Sequence, residues 1–280
     1  MKMVGYRINF LAPEADMSDT AAIAPARLAA TILLLRDDPA GMEVFMVVRH
    51  QQIDFASGAL VFPGGKLAAG DSDPRLPRLC SGAEGLSTEQ LALRVAAIRE
   101  AFEESGVLLA RSRGAARMVG PERIEVLGPQ YRKALDKGEI GIADMLEREG
   151  LELACEALVP FAHWITPTFM PKRFDTYFYL AVAPGEQVAG HDGREMVDSV
   201  WLRPDVALAE AAAGQRTLVP ATELNVQLLG EQPTVATAIA AARARPLVAV
   251  LPEVIEAAAG SPRTLRIPAN AGYQRTEFAF

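Results

Sequence analysis

Residues Arg99-Glu100-Ala101-Phe102-Glu103-Glu104-Ser105-Gly106-Val107 place three carboxylates at i, i+3 and i+4. At about 100° per residue, Glu100, Glu103 and Glu104 share one sector of a helix. Like charges at this spacing repel and weaken a bare helix. A hard divalent cation relieves the repulsion, and an all-oxygen ligand set suits Mg²⁺ or Mn²⁺. The bland counterpart is a solvated acidic face. Arg99 stands four residues before Glu103 and is placed to brace it. A second segment, Phe62-Pro63-Gly64-Gly65-Lys66-Leu67, follows a strand-like run ending at Phe62. Its paired glycines let the backbone approach a ligand closely, and Lys66 adds a cation beside them. A plain Pro-Gly turn would look the same.

Together the two segments resemble the Nudix box, G-x5-E-x7-R-E-U-x-E-E-x-G-U, with U an aliphatic residue. Gly65 matches its first glycine, and Arg99, Glu100, Glu103, Glu104, Gly106 and Val107 match its second half. The spacing between the halves is about 20 residues longer than the pattern allows, so the box carries an insert. Asp71 to roughly Ser87, with Pro74, Pro77, Gly82 and Gly85, reads as a loop. Counting back from the arginine puts the pattern's middle acid at Leu91. Nearby Glu89 lies about 16 Å along the helix from Glu100 and reads as a first-turn charge. An inserted box and the stretch from Thr166 to Thr176 (TPTFMPKRFDT) resemble the branch that holds the peroxisomal coenzyme A diphosphatases. A coenzyme A-linked arginine four residues before G-x3-FPGG is replaced by Asp54.

The resemblance implies a Mg²⁺- or Mn²⁺-dependent hydrolase that cleaves the diphosphate of a nucleoside diphosphate joined to another group. Its metal shell would be Glu100, Glu103, Glu104 and the carbonyl of Gly64, with Arg99 and Glu100 in the catalytic set. A further acid from a later loop is expected; Glu195 is the candidate, with Asp192 and Asp198 as competitors. Lys66, Lys172 and Arg173 are placed to grip phosphate. Coenzyme A or an acyl-coenzyme A is the first-choice substrate, and ADP-ribose or another nucleotide sugar the alternative. A non-catalytic Nudix-fold binding or regulatory module is the reading from another class, disfavoured by the intact carboxylate set. RNA decapping is a third, disfavoured by the acidic balance.

The helix that must carry the carboxylates is well marked. Leu91, Val95, Ile98 and Phe102 form an apolar stripe about 200° from Glu100, so the carboxylates should face away from the core. Ser87 or Thr88 caps the start, Gly106 ends it, and Ala96 and Ala97 are small enough to leave room for a ligand. Strand-like runs cover 28–35, 43–49, 59–62, 157–165, 174–183 and 197–202. Helical segments cover 88–105, 122–149 with Gly138 and Gly141 interrupting, 204–213, 220–229 and 236–245. Late strands are expected at 247–250 and 264–267. This order predicts an α/β (α+β) Nudix fold, a mixed β-sheet sandwiched between helices, with helical insertions. Residues 1–26 read as an N-terminal arm or extension, and 27–230 as the hydrolase domain with insertions at about 71–87 and 112–150. Residues 231–280 read as a helix and strand elaboration packed on that domain.

The bulk properties fit a small-molecule enzyme. Half of the 280 residues are hydrophobic, enough for a sizeable core, and the net charge is −7. That charge argues against a broad nucleic-acid surface. Cys80 and Cys155 imply no disulfide, which agrees with a reducing cytoplasm. His50, His163 and His191 show no ligand spacing, and His163 reads as structural. No apolar run reaches the ~18 residues of a membrane span. No secretory or peroxisomal address is evident, so cytoplasmic placement is expected, and a homodimer is an open expectation.

Overall fold

A computed structural model describes residues 23–49, 58–185, 187, 189–190, 196–255 and 264–279. The chain opens with strands β1 (Ala26–Asp38) and β2 (Gly41–Arg49), then short strands β3 (Leu60–Val61) and β4 (Gly64–Lys66). Two 3-10 turns and strand β5 (Cys80–Ser81) lead into helix α1 (Thr88–Ser105). Strand β6 (Ala110–Ser112) is followed by α2 (Pro121–Asp136), α3 (Ile142–Glu149) and β7 (Leu151–Ala154). Strands β8 (Val159–Ile165), β9 (Arg173–Val182) and β10 (Met196–Leu202) come next. Helices α4 (Pro204–Ala212), α5 (Pro220–Leu229) and α6 (Val235–Ala244) follow. Strands β11 (Ala249–Val250), β12 (Glu253–Ile255), β13 (Thr264–Arg266) and β14 (Glu277–Ala279) complete the order.

The main sheet runs β10-β2-β1-β9-β8-β11, with β3 on β2 and β4 on β1. Central β1 pairs parallel with β9 from Ala26 opposite Arg173 to Leu35 opposite Val182. It pairs antiparallel with β4 through Ala29–Lys66, Ala30–Gly65 and Thr31–Gly64. Side chains alternate across a strand, so β1 feeds two cores. Ala30, Ile32 and Leu34 face the α1 side, while Leu33 and Leu35 face the opposite side, where α4, α5, α6 and the β12-β13-β14 sheet pack. This is the expected mixed sheet between helical layers.

Helix α1 has the predicted limits, and its caps explain them. The Ser87 hydroxyl accepts from the Gln90 amide at 3.1 Å while the Gln90 side chain accepts from the Ser87 amide at 3.0 Å. At the other end Gly106 takes φ 75°, a left-handed conformation that favours glycine, and its amide closes on the Phe102 carbonyl.

Three expectations about this region need correction. The insert is not an exposed loop: Leu76, Leu79 and Cys80 are buried in the α1-side core, and β5 pairs with β7 in a small β5-β7-β6 sheet. That sheet and α2 form a second layer over α1. The acidic face of α1 is turned from the Phe102 stripe but not out to water, because β4 and Asp71 lie against it. Ala96 and Ala97 are wholly buried and leave no space for a ligand; their small size lets α1 pack closely.

Candidate metal centre

Folding brings the two chemistry-bearing segments together. The Gly64 amide donates to Glu104 Oε2 at 2.9 Å, fastening β4 to the last turn of α1. A Cβ on Gly65 would lie 2.4–2.7 Å from the Glu100 carboxylate, so any other residue there would push that carboxylate out of its present position. A Cβ on Gly64 would meet the Ala30 carbonyl at 2.6 Å. The glycines thus serve helix-to-strand contact as well as the turn.

Arg99 is the hub of the site. Its Nε and Nη2 grip the Asp71 carboxylate at 2.8 and 2.9 Å, and Nη2 also donates to the Lys66 carbonyl at 3.0 Å. Its Nη1 reaches Glu100 at 2.8 Å and Glu103 at 3.1 Å. Burial opposes the arginine's charge, but the hydrogen bond to Asp71 and the charges of Glu100, Asp71 and Glu103 hold its pKa above the usual value. Asp71 was not foreseen as a site residue. It stands six residues after Gly65, where the box pattern has its middle acid, so the insert follows this acid rather than preceding it. The expected position at Leu91 is wrong, because Leu91 packs in the core. Glu89 lies in the exposed first turn of α1, as read.

Glu103 and Glu104 are only 7% and 6% exposed. Burial, with the charges of Glu100 and Asp136, pushes the Glu103 carboxyl up to about 8 against the pull of Arg99. An ordinary glutamate ionises near 4.5, so in the fold the neutral form persists well above that pH. Glu103 Oε1 is buried and has no hydrogen-bond partner among the described residues. A buried carboxylate oxygen without a partner is costly unless a proton or a cation compensates it.

Among the described residues no three acidic, histidine or cysteine side chains converge as a ready ligand set. Arg99 bridges Glu100 and Glu103, while Glu104 holds the Gly64 amide. The orphaned Glu103 oxygen and the oxygen-only donor set nevertheless fit a hard divalent cation.

The remaining candidates are dispersed. Lys66 is exposed beside the glycine turn, and its carbonyl serves Arg99. Lys172 is exposed just before β9. Arg173 donates Nε to the Thr166 carbonyl at 3.0 Å and Nη1 to the Ala24 carbonyl at 2.7 Å, bracing the entry to two strands. Asp198 is exposed on β10 and lies 3.7 Å from Arg216. Glu195, Asp192, Asp54, His50 and His191 lie outside the described residues. His163 pairs with Asp175 at 2.5 Å and stacks on Tyr177 with ring centroids 4.0 Å apart. Cys80 and Cys155 are both free and buried.

The NUDT19 Nudix domain family model matches residues 81–226. An acyl-coenzyme A diphosphatase NUDT19 from Xenopus laevis is 24% identical over 206 residues, covering 60% of this chain and 54% of that protein. The human protein of the same name is 26% identical over 239 residues, covering 69% of this chain and 62% of that one. The chain thus spans less than two thirds of the length of these curated relatives. The crystal structure of a NUDIX hydrolase from Alicyclobacillus acidocaldarius superposes with a TM-score of 0.66 at 27% identity, covering 78% of this chain and 97% of that one. The matched stretch begins beyond the glycine turn and Asp71, which the fold brings against Arg99, Glu100 and Glu104. The family model takes in just over half of the chain, and with the box rebuilt in space the protein belongs to the Nudix hydrolases, in the NUDT19 group.

Proposed function

We propose that this chain hydrolyses the diphosphate of a nucleoside diphosphate joined to another group, with coenzyme A or an acyl-coenzyme A as substrate. The observation that carries the reading is the buried Arg99 hub, which holds Glu100 and Glu103 beside the glycine turn while Glu104 is fixed by Gly64. A regulatory module has no need of three clustered, partly buried carboxylates. Glu100, Glu103, Glu104 and the Gly64 carbonyl would hold Mg²⁺ or Mn²⁺. Such a cation neutralises diphosphate charge and lowers the pKa of a bound water. The protein's own contribution is orientation: Asp71 fixes Arg99, and Arg99 spaces the two glutamates.

A later acid is proposed at Glu195. Support comes from the described residues before it. Gln187 is bonded to Leu108 and Val119, and the Gly190 amide donates to the Ser105 carbonyl at 2.8 Å. The chain therefore enters that segment from the C-terminal end of the metal helix.

Coenzyme A is favoured by the names of the NUDT19 relatives and by the basic pair before β9. Arg173 pairs with Ala26 on β1, four residues from Ala30 at the glycine turn, or about 13 Å at strand rise. The contact to the 3′-phosphate is proposed for the pair Lys172 and Arg173, of which Arg173 also donates to two backbone carbonyls. One charge-assisted contact is worth roughly 1.5–3 kcal/mol, or about 10- to 150-fold in kcat/KM. Coenzyme A should outrun dephospho-coenzyme A by that order, and Lys172→Ala should erase most of the gap. Products from a panel that includes ADP-ribose, resolved by chromatography with Mg²⁺ and Mn²⁺, give the test. A clear preference for ADP-ribose would select the nucleotide-sugar alternative. Glu104→Gln, which keeps the side-chain volume, should lower turnover at least ~100-fold with the fold retained. Normal turnover in that variant at saturating Mg²⁺ would remove α1 as the metal site.

A further inference from the structure

Helix α2, within the insertion between β6 and β7, reaches the metal helix directly. Leu127, Tyr131 and Leu135 form its buried stripe against the α1-side core. Arg132, beside that stripe, aims its guanidinium at the last turn of α1. Nε and Nη2 both donate to the Glu103 carbonyl, at 3.1 and 2.8 Å. A Cβ on Gly106 would sit 3.3 Å from Arg132 Nη1, so the glycine that ends α1 also makes room for the arginine.

We propose that Arg132 is a positioning residue for the metal helix: by holding the Glu103 carbonyl it fixes the turn from which Glu103 and Glu104 project. The inference rests on the metal-dependent reading above. Helices leave their last four carbonyls without intrahelical partners, and an unheld last turn frays. In α1 the Phe102 carbonyl takes the Gly106 amide, the Ser105 carbonyl takes the Gly190 amide, and the Glu103 carbonyl takes Arg132. A cation at this end also suits the helix dipole. Glu103 is thus held through its side chain by Arg99 and through its peptide by Arg132. A lysine would keep the charge but lose the two-pronged grip.

The test compares Arg132→Ala, Arg132→Lys and, as a control on the same helix, Arg123→Ala, which removes the ion pair to Glu149. In metal-free protein, Arg132→Ala should speed hydrogen exchange at the Gly106 and Val107 amides by about 10-fold. Mn²⁺ affinity, followed by electron paramagnetic resonance, should weaken about 10-fold, the scale seen when a group supporting a ligand is lost. Turnover should fall about 10- to 100-fold with KM nearly unchanged. Arg132→Lys should recover part of each loss, and Arg123→Ala should lower thermal stability without moving any of them. If Arg132→Ala does not fold, Arg132→Lys must still show weakened Mn²⁺ binding and faster exchange. Wild-type Mn²⁺ affinity and exchange in a folded Arg132 variant would overturn the assignment while leaving the hydrolase reading intact. Failure of the wild-type chain to bind Mn²⁺ would overturn both.

Discussion

Arg99 is a buried cation shared by three carboxylates, and this sharing decides what each substitution does. Asp71 is 1% exposed, and it alone of the three carboxylates takes Arg99 with both oxygens. Removing one partner of a buried pair leaves an uncompensated charge, which typically costs about 3–5 kcal/mol. Asp71→Ala should therefore lower urea-unfolding stability by about that amount; a loss below about 1 kcal/mol would mean Glu100 and Glu103 suffice for Arg99. The carboxylate cluster itself was legible from spacing alone, because i, i+3 and i+4 is a one-dimensional signal. Asp71 was equally present six residues after Gly65, but it was masked by counting back from Arg99 across the insert. The burial of Glu103 and Glu104 was not legible, since it depends on a layer contributed from elsewhere in the chain. The roles of Lys66, Lys172 and Arg173 depend on ligand contacts, and no local pattern around Arg173 marks the backbone carbonyls that claim its guanidinium.

Elements with local causes were readable. The caps at Ser87 and Gly106 bound α1, and Gly138 and Gly141 separate α2 from α3; Gly138 takes φ 65° and Gly141 caps α3. Strands β5, β6 and β7 escaped notice. They are only two to four residues long and acquire their structure from pairing across the chain, which leaves no periodic signature. Their sheet changes the expected effect of trimming the insert. Leu79 is 1% exposed and its carbonyl accepts from the Leu153 amide at 2.8 Å. Leu79→Ala should cost about 2–5 kcal/mol in chemical denaturation, the range for a buried leucine cavity. A change under about 0.5 kcal/mol would restore the picture of a dispensable loop. Arg75 adds a polar tie, bonding Asp73, Asp144 and Glu147, so the insert and α3 brace each other.

At the scale of the whole molecule the sheet separates two kinds of work. One face carries α1 and the acidic centre; the other is a structural core closed by the C-terminal strands. A buried chain of hydrogen bonds fastens that closure. Trp164 Nε1 donates to the Tyr273 hydroxyl at 2.8 Å, which donates to Asn225 Oδ1 at 2.7 Å. Tyr273→Phe keeps the ring but strands two buried polar groups, at about 1–3 kcal/mol. Stability should fall by that amount while KM and metal affinity stay unchanged; a change in metal affinity would show that the two faces are coupled. The mixed sheet could be anticipated from element order. The hydrogen-bond chain could not, since its members are 109 and 48 residues apart.

The meeting of Asp71 with Arg99 also has a kinetic side. An uninterrupted box separates acid and arginine by about eight residues, whereas here they stand 28 apart, so loop-closure entropy opposes the contact by about 1 kcal/mol more. Burying Leu76 and Leu79 returns roughly 1.5–3 kcal/mol each, so the intervening segment more than offsets its own length. The order of events follows from this balance. The helix can nucleate early from its local caps and brings Glu100 and Glu103 to Arg99 by itself, but the Asp71 contact waits for the intervening segment to close, so the last tie of the acidic centre belongs to a later stage of folding.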